Sequence, residues 1–394
     1  MISKIRIGDL GEIITGNTPP RNKPEYYGTH TPFIKATDID ESSKYTYTPE
    51  ESYSEIGYQK YQKSLIPKGA TCVVTIGSIG KKMTMAHCDC FINQAMNAII
   101  PSPSYDPEYV YYVVKHNVHR LKSLDSGTAS GRENVSKSAF SNLEIDAIDD
   151  IDTQRKIGEI LRTYDALIEN NQKQIKLLEE AAQRLYKEWF VDLRFPDHET
   201  TSITDGIPEG WKRERLVNIV KVQYGYAFDG SLFNANGNGT PIVRIRNIPN
   251  GTTADYTTEE ADAQYVVHNG DILVGMDGEF HINSWSGPDA YLVQRTCSFR
   301  PNNPNMKGYL LQAIYEPIKY FESTVVGATV AHLGKKHIDT ITVFTGPDEL
   351  YVPFQQYFER RQLLLNQNRL LEEARDRLLP KLMNGVIEVQ MDGA

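Results

Sequence analysis

Residues 31–39 of this chain, Thr31-Pro32-Phe33-Ile34-Lys35-Ala36-Thr37-Asp38-Ile39, return 209 residues later as Thr240-Pro241-Ile242-Val243-Arg244-Ile245-Arg246-Asn247-Ile248. Apolar, basic and polar classes keep their order. Leu10 to Gly16 and Leu216 to Val222 open the two halves. Pro67 to Val74 parallels His268 to Gly275, and Phe91 to Gln94 parallels Leu292 to Arg295, both 201 residues apart. Gly127-Thr128-Ala129 pairs with Gly327-Ala328-Thr329, and Phe140, Leu143 and Ile145 fall in step with Ile338, Ile341 and Val343. A repeat this long places two domains on one scaffold, and 394 residues exceed what a single core usually organises.

Within each half, Thr71 to Ile76 and Asp271 to Val274 are β-rich runs bounded by Gly and Pro and read as strands, whereas Tyr109 to Leu124 and Tyr309 to Glu322 have apolar spacing nearer to a helix. Each globular half is therefore expected to be α+β. The segment after the first half differs in kind. Ile157, Leu161, Tyr164, Ile168, Ile175, Leu178, Ala182, Leu185 and Trp189 step by alternating four and three residues, with polar Asn171 at its proper place in the seam. A seam this sustained favours a coiled coil over a helix lying on a core. Phe354, Leu364, Leu371, Leu378 and Leu382 end the second half similarly, less regularly, because Arg361 and Arg375 stand where Ile168 and Ala182 stand in the first. If the second helix packs along the first it must run back.

The expectation is an α+β chain of two similar globular domains separated by two long antiparallel coiled-coil helices, with an internal pseudo-twofold repeat. Its parts are a first domain at 1–150, a central helix at 151–194, a linker at 195–211, a second domain at 212–350, and a C-terminal helix and tail at 351–394.

Composition narrows the function. No apolar run approaches the roughly 20 residues of a membrane helix, and the N-terminus lacks a signal-peptide pattern, so a cytoplasmic location without membrane association is expected. Cys72, Cys88, Cys90 and Cys297 lack the spacing of a zinc site or disulfide framework, and His87 beside Cys88 and Cys90 sits in an alternating stretch whose neighbours face apart. No metal is expected. A methyltransferase would need a glycine-rich cofactor loop and an Asn/Asp-Pro-Pro-aromatic clamp, and neither is present; Gly237-Asn238-Gly239 is a lone glycine pair. No carboxylate arrangement suggests a nuclease. The chain is therefore read as non-catalytic and without a cofactor. Its net charge of −9 implies that any DNA binding by the isolated chain is weak, because phosphates need a basic face.

The domain–helix–domain–helix order, the Leu185 to Asp192 segment ending helix one, Ile207-Pro208-Glu209-Gly210-Trp211 at the entry to the second domain, and the terminal Leu379-Pro380-Lys381-Leu382-Met383-Asn384-Gly385 together resemble type I restriction–modification specificity subunits. The resemblance covers essentially the whole chain. It implies that each globular unit is a target recognition domain reading one half of a bipartite double-stranded DNA site. It also implies that the helices act as spacer and docking surface, that two modification subunits supply S-adenosylmethionine-dependent adenine methylation, and that restriction subunits can join them. The competing class is a coiled-coil adaptor whose globular heads bind proteins.

Residues suited to DNA cluster in matched segments. Ser78, Lys81 and Lys82, in the Gly77 to Lys82 stretch after a strand, suit close approach to phosphates; in the counterpart Gly275 to Phe280, Asp277 or Glu279 can accept from a cytosine amino group. The alternative for both stretches is a plain surface hairpin turn. Asn93 and Gln94, matched by Gln294 and Arg295, carry the amides and guanidinium that direct readout uses, although a structural hydrogen bond explains them as well. Arg132 and Asn134 lie in a polar loop, with His332, Lys335 and Lys336 in the equivalent region of the second half. Lys35, Thr37, Arg244, Arg246 and Asn247 lie on strand-like segments whose polar side can face DNA or water. Tyr45, Tyr47 and Tyr53 fit half-buried strands before they fit base stacking. The two halves are expected to read different sequences, because Gln94 opposes Arg295 and Lys81 opposes Glu279.

Overall fold

The structure, a computed structural model, describes residues 2–127, 131, 133–324 and 331–389. It divides into two units, one of Met1–Glu169 with Leu371–Ala394, the other of Asn170–Leu370.

In the first unit the strands are β1 (Ile2–Arg6), β2 (Gly11–Thr15), β3 (Tyr27–Ile34), β4 (Glu51–Tyr53), β5 (Thr71–Val74), β6 (Met83–Met85), β7 (Phe91–Ile92), β8 (Met96–Pro101) and β9 (Glu144–Ile148). Strand β5 is apolar at nearly every residue because it is buried on both faces and paired on both edges, in the order β2-β8-β5-β6. A smaller sheet, β4-β3-β7, includes a parallel pair in which Phe33 faces Phe91 and Ile34 faces Ile92. Strands β1 and β9 form a separate antiparallel pair. Of the helices α1 (Glu55–Tyr61), α2 (Pro107–Asn117) and α3 (Lys137–Ser141), α2 is the core element. Asp106 caps it, accepting from Tyr109 N at 3.0 Å, with Pro107 at its first position.

Helix α4 (Ile151–Tyr186) continues into a π turn at Lys187–Val191. The seam residues Ile157, Leu161, Ile168, Ile175 and Ala182 are buried.

The second unit opens with the hairpin β10 (Ile203–Thr204) and β11 (Ile207–Pro208), followed by β12 (Lys212–Arg215), α5 (Leu216–Ile219), β13 (Val220–Tyr224), β14 (Phe233–Asn234), β15 (Thr240–Val243), β16 (Tyr256–Thr257) and β17 (Val266–Val267). Then come β18 (Ile272–Gly275), β19 (Ile282–Ser284), β20 (Ala290–Leu292), β21 (Thr296–Pro301), α6 (Lys307–Ala313), α7 (Tyr315–Thr324), α8 (Lys335–Ile338), β22 (Thr342–Thr345) and α9 (Val352–Met383). The sheet β13-β21-β18-β19 reproduces β2-β8-β5-β6, β15 pairs parallel with β20 as β3 does with β7, and β12–β22 matches β1–β9. The stretch from Phe195 to Trp211, polar enough to read as a linker, is pinned at both ends: Phe195 and Trp211 are buried in the unit's core, their tilted rings 4.7 Å apart between centroids.

Within each unit a stretch of α4 pairs antiparallel with a stretch of α9. In the first, Ile157 and Leu161 share a core with Leu379 and Leu382, and Asp165 accepts from Arg375. In the second, Asn171 Nδ2 donates to Asn368 Oδ1 at 2.9 Å, and Arg361 Nε donates to Glu179 Oε1 at 2.6 Å. The two arginines that make the α9 heptad look irregular are therefore buried seam residues, each given a carboxylate by α4. Arg361 also donates to Ser284 Oγ and Asn283 Oδ1, tying α9 to β19.

Candidate nucleic-acid interface

In both units the chain leaves the parallel strand pair through a tight turn and enters the long antiparallel strand. In the first, Asn93 N donates to Ile34 O and Met96 N to Asn93 O; in the second, Val293 N donates to Val243 O and Thr296 N to Val293 O. Thr75 N donates to Ala95 O, and Met276 N to Arg295 O. This pattern fixes the correspondence: Gln94 matches Gln294 and Ala95 matches Arg295, one residue away from the alignment of apolar and polar classes. Likewise Gly77 N donates to Glu133 O and Gly278 N to Ala331 O, while isolated bridges join Ile76 to Asn134 and Asp277 to His332. Ile76 therefore matches Asp277, Ser78 rather than Lys81 matches Glu279, and Asn134 matches His332.

A glycine sets each frame. An added Cβ on Gly16 would lie 2.2 Å from Asn93 O, and one on Gly225 would lie 2.1 Å from Val293 O. These two glycines let the strand end cross the reading turn at backbone distance.

In the first unit the turn, the β5–β6 connection and the segment after β2 meet. Thr18, which the sequence did not single out, donates its hydroxyl to Gln94 Oε1. Glu133 Oε2 accepts from Ile79 N at 3.2 Å, and Lys82 Nζ reaches Ala36 O at 3.4 Å. Ser78, Lys81 and Gln94 are exposed; Asn93 is half-buried, with its Oδ1 unpartnered among the described residues. Asp125 accepts from Gly127 N at 2.8 Å and Asn134 N at 2.7 Å, and these bonds hold its carboxyl below the ordinary range. Arg132 lies outside the described residues.

The segments bearing Lys35, Thr37, Arg244, Arg246 and Asn247 are turns and not strands, because β3 ends at Ile34 and β15 at Val243. Asp38 accepts from Lys35 N, and Asn247 accepts from Arg244 N, each at 2.8 Å. Asn247 is thus a turn cap, its amide nitrogen spent on Asp255. Arg246 forms a two-point pair with Asp255, and Lys35 pairs with Glu50 and Glu51, its ammonium raised chiefly by the Glu50 bond. Thr37 is exposed.

In the second unit Arg295 Nη1 donates to Asp277 Oδ2, and His332 Nδ1 lies 2.5 Å from Asp277 Oδ1. Each Asp277 oxygen thus already accepts a bond within the protein, and the side chain is only 12% exposed, so it is a less open acceptor for a cytosine amino group than its place in a surface turn implies. Burial alone would raise its carboxyl, but the bonds from His332 and Arg295 bring it below its ordinary value. Glu279, Gln294, Lys335 and Lys336 are exposed. A cleft of about 510 Å³ lies between Phe233, Arg244, Arg246, His281, Gln294 and Arg295, with the Arg244 guanidinium 5.6 Å over the Phe233 ring. Tyr53 is buried against Phe91, ring centroids 4.1 Å apart, so base stacking is not its role, whereas Tyr47 is exposed and lies outside any strand, its hydroxyl donating to Glu169.

Among the described residues no group of three His, Cys, Asp or Glu is placed to hold a metal, and no helix is long and apolar enough to cross a membrane. Cys88 Sγ approaches His87 Nε2 at 3.3 Å while Cys90 is buried.

A duplicated scaffold that offers different side chains at the same loop positions fits the class of recognition proteins, whose two heads meet two different targets. The chain belongs to the type I restriction modification DNA specificity domain family, whose model matches residues 2–180 and 208–369. It is 27% identical to the MjaIX type I restriction enzyme specificity subunit of Methanocaldococcus jannaschii, over 98% of this chain and 93% of that one. It is 29% identical to the EcoBI specificity subunit of Escherichia coli over 34% of this chain and 29% of that one. The fold is that of the type I S subunit from M. genitalium, with a TM-score of 0.57 and 17% identity over 97% of this chain and 96% of that one. The chain is thus a non-catalytic, DNA-recognising subunit that acts within a restriction–modification complex.

Proposed function

We propose that each unit reads one half of a bipartite, asymmetric double-stranded DNA site, and that the chain directs two modification subunits to methylate adenine there. Restriction subunits join the same complex, which works in the cytoplasm, where its DNA is. Residues 1–150 and 212–350 are the two reading domains, and 151–194 and 351–394 are the helices that space them and dock the partners.

One observation carries this reading: equivalent frame positions hold Ile76, Ala95 and Asn134 in the first unit but Asp277, Arg295 and His332 in the second. The backbone is repeated and the recognition chemistry is not, as an asymmetric target requires. Ser78, Lys81, Lys82, Asn93, Gln94, Asn134, Lys35 and Thr37, with Arg132, are the contacts of the first half-site. Arg244, Arg246, Glu279, Gln294, Arg295, His332, Lys335 and Lys336 are those of the second. The decisive experiment is a gel shift on random bipartite DNA with and without modification subunits, followed by a methyl-transfer assay. The complex should bind one class of site tightly and methylate it, and the chain alone should bind weakly and transfer nothing. Methyl transfer by the rigorously purified chain refutes the reading.

A further inference from the structure

We propose that Arg295 reads a guanine in the half-site bound by the second unit, with Asp277 as the positioning residue that aims its guanidinium. The assignment rests on the DNA-reading function above and names the base that function leaves open.

Three features make Arg295 unlike an ordinary surface arginine. Its side chain is 68% exposed, yet it is tied through Nη1 to a carboxylate that is only 12% exposed. Among the described residues Nη2 and Nε make no other hydrogen bond, so the side edge of the guanidinium is presented as a fixed two-donor fork. Second, Arg295 occupies the third position of the turn from Val293 to Thr296 with φ +66°, a conformation glycine would adopt without strain. A non-glycine residue in this region persists only where the surrounding structure over-determines it, so the turn holds the Arg295 backbone, and with it the root of the side chain, in one orientation. Third, the first unit has Ala95 and Ile76 at these positions, so the frame folds without the pair.

The choice of guanine over phosphate follows from charge. Asp277 beside the fork repels a phosphate, whereas guanine O6 and N7 are two uncharged acceptors spaced for a two-point bond. A carboxylate behind the guanidinium fixes its plane and costs little against a neutral edge. Gln94 and Gln294 are common to both units and do not account for a difference between the half-sites.

The test uses the full chain assembled with its modification subunits. A randomised DNA library is methylated by wild type, Arg295→Ala, Arg295→Lys and Asp277→Asn, and the modified sites are sequenced. The wild-type second half-site should contain a G·C pair that Arg295→Ala relaxes, with discrimination at that position falling about 10- to 100-fold and every other position unchanged. Arg295→Lys keeps the charge but replaces the planar fork with a flexible ammonium that still reaches guanine, so it should keep overall binding within a few-fold and weaken the same discrimination several-fold. Asp277→Asn should weaken the guanine preference several-fold without shifting it to another base. A wild-type second half-site without G·C, or an unchanged site for both Arg295 variants, overturns the assignment. If Arg295→Ala fails to assemble, the lysine variant decides alone. A wild-type complex with no sequence preference would instead sink the DNA-reading function itself.

Discussion

Arg375 Nη1 lies 2.5 Å from Asp165 Oδ1, and neither side chain is more than 6% exposed. The Tyr112 hydroxyl donates to the other carboxylate oxygen at 2.5 Å, and burial together with Asp165 drives that hydroxyl well above its usual titration range. Asp165→Ala would leave a guanidinium in an apolar seam with one exposed partner, Asp376. It should lower stability by about 3–5 kcal/mol, whereas Asp165→Leu with Arg375→Leu should recover most of that loss. Urea unfolding of the full chain measures both, and a cost below about 1 kcal/mol for the single variant would show that water already reaches the pair.

The Asp277 cluster makes a pH prediction. Its carboxyl titrates below the ordinary value, so the cluster's contribution to stability is fully present above about pH 4 and disappears as pH falls through the lower, folded value. Asp277→Asn should therefore be less stable than wild type at pH 7, and the gap should close on acidification. Thermal unfolding from neutral pH to about pH 3 follows the difference; a constant gap argues against an ionised Asp277.

Gly225→Ala should destabilise the second unit by about 1–3 kcal/mol, because its Cβ would sit 2.1 Å from a backbone oxygen that cannot rotate away. The displaced turn carries Gln294 and Arg295. Methylated-site sequencing should show degraded specificity in one half-site only, and Gly16→Ala should degrade the other.

If helix length sets the spacer between half-sites, a heptad added between Glu169 and Asn170 and another between Leu370 and Leu371 should lengthen it. These points fall where the two units divide, so the Asp165–Arg375 and Asn171–Asn368 pairs both survive. Seven residues add about 10 Å, equivalent to about three base pairs, and some of this is absorbed by tilt or DNA bending. The preferred spacer should grow by about one to three base pairs with both half-sites intact. An active complex with an unchanged spacer would remove the helices' role as a ruler.

The repeat and the α4 seam were legible because both are long-range regularities of apolar residues, insensitive to local detail. The exact correspondence was not. Strands β2 and β13 match at 209 residues, so Leu10–Gly16 aligned with Leu216–Val222 slips by three, while β8 and β21 match at 200. The connection at 75–82 has two residues more than that at 276–281, and an apolar-apolar-polar-polar run fits either of two neighbouring registers. The carboxylates that meet Arg361 and Arg375 in the seam lie on the other helix, and the two partners of Asp277 lie 18 and 55 residues on, at Arg295 and His332. Spacing within one segment carries no trace of such partners, so Asp277 looked like a free acceptor and the arginines like seam defects.

The first unit is discontinuous in sequence: its core needs Leu379, Leu382 and Met383 beside Ile157 and Leu161. The roughly 200 residues of Asn170–Leu370, an uninterrupted stretch, must be synthesised in between. At about 5–20 residues per second the ribosome takes roughly 10–40 s over them. The unit made first is therefore completed last, and for that interval half of the α4 seam, including the buried carboxylate of Asp165, waits without the strand of chain that will cover it.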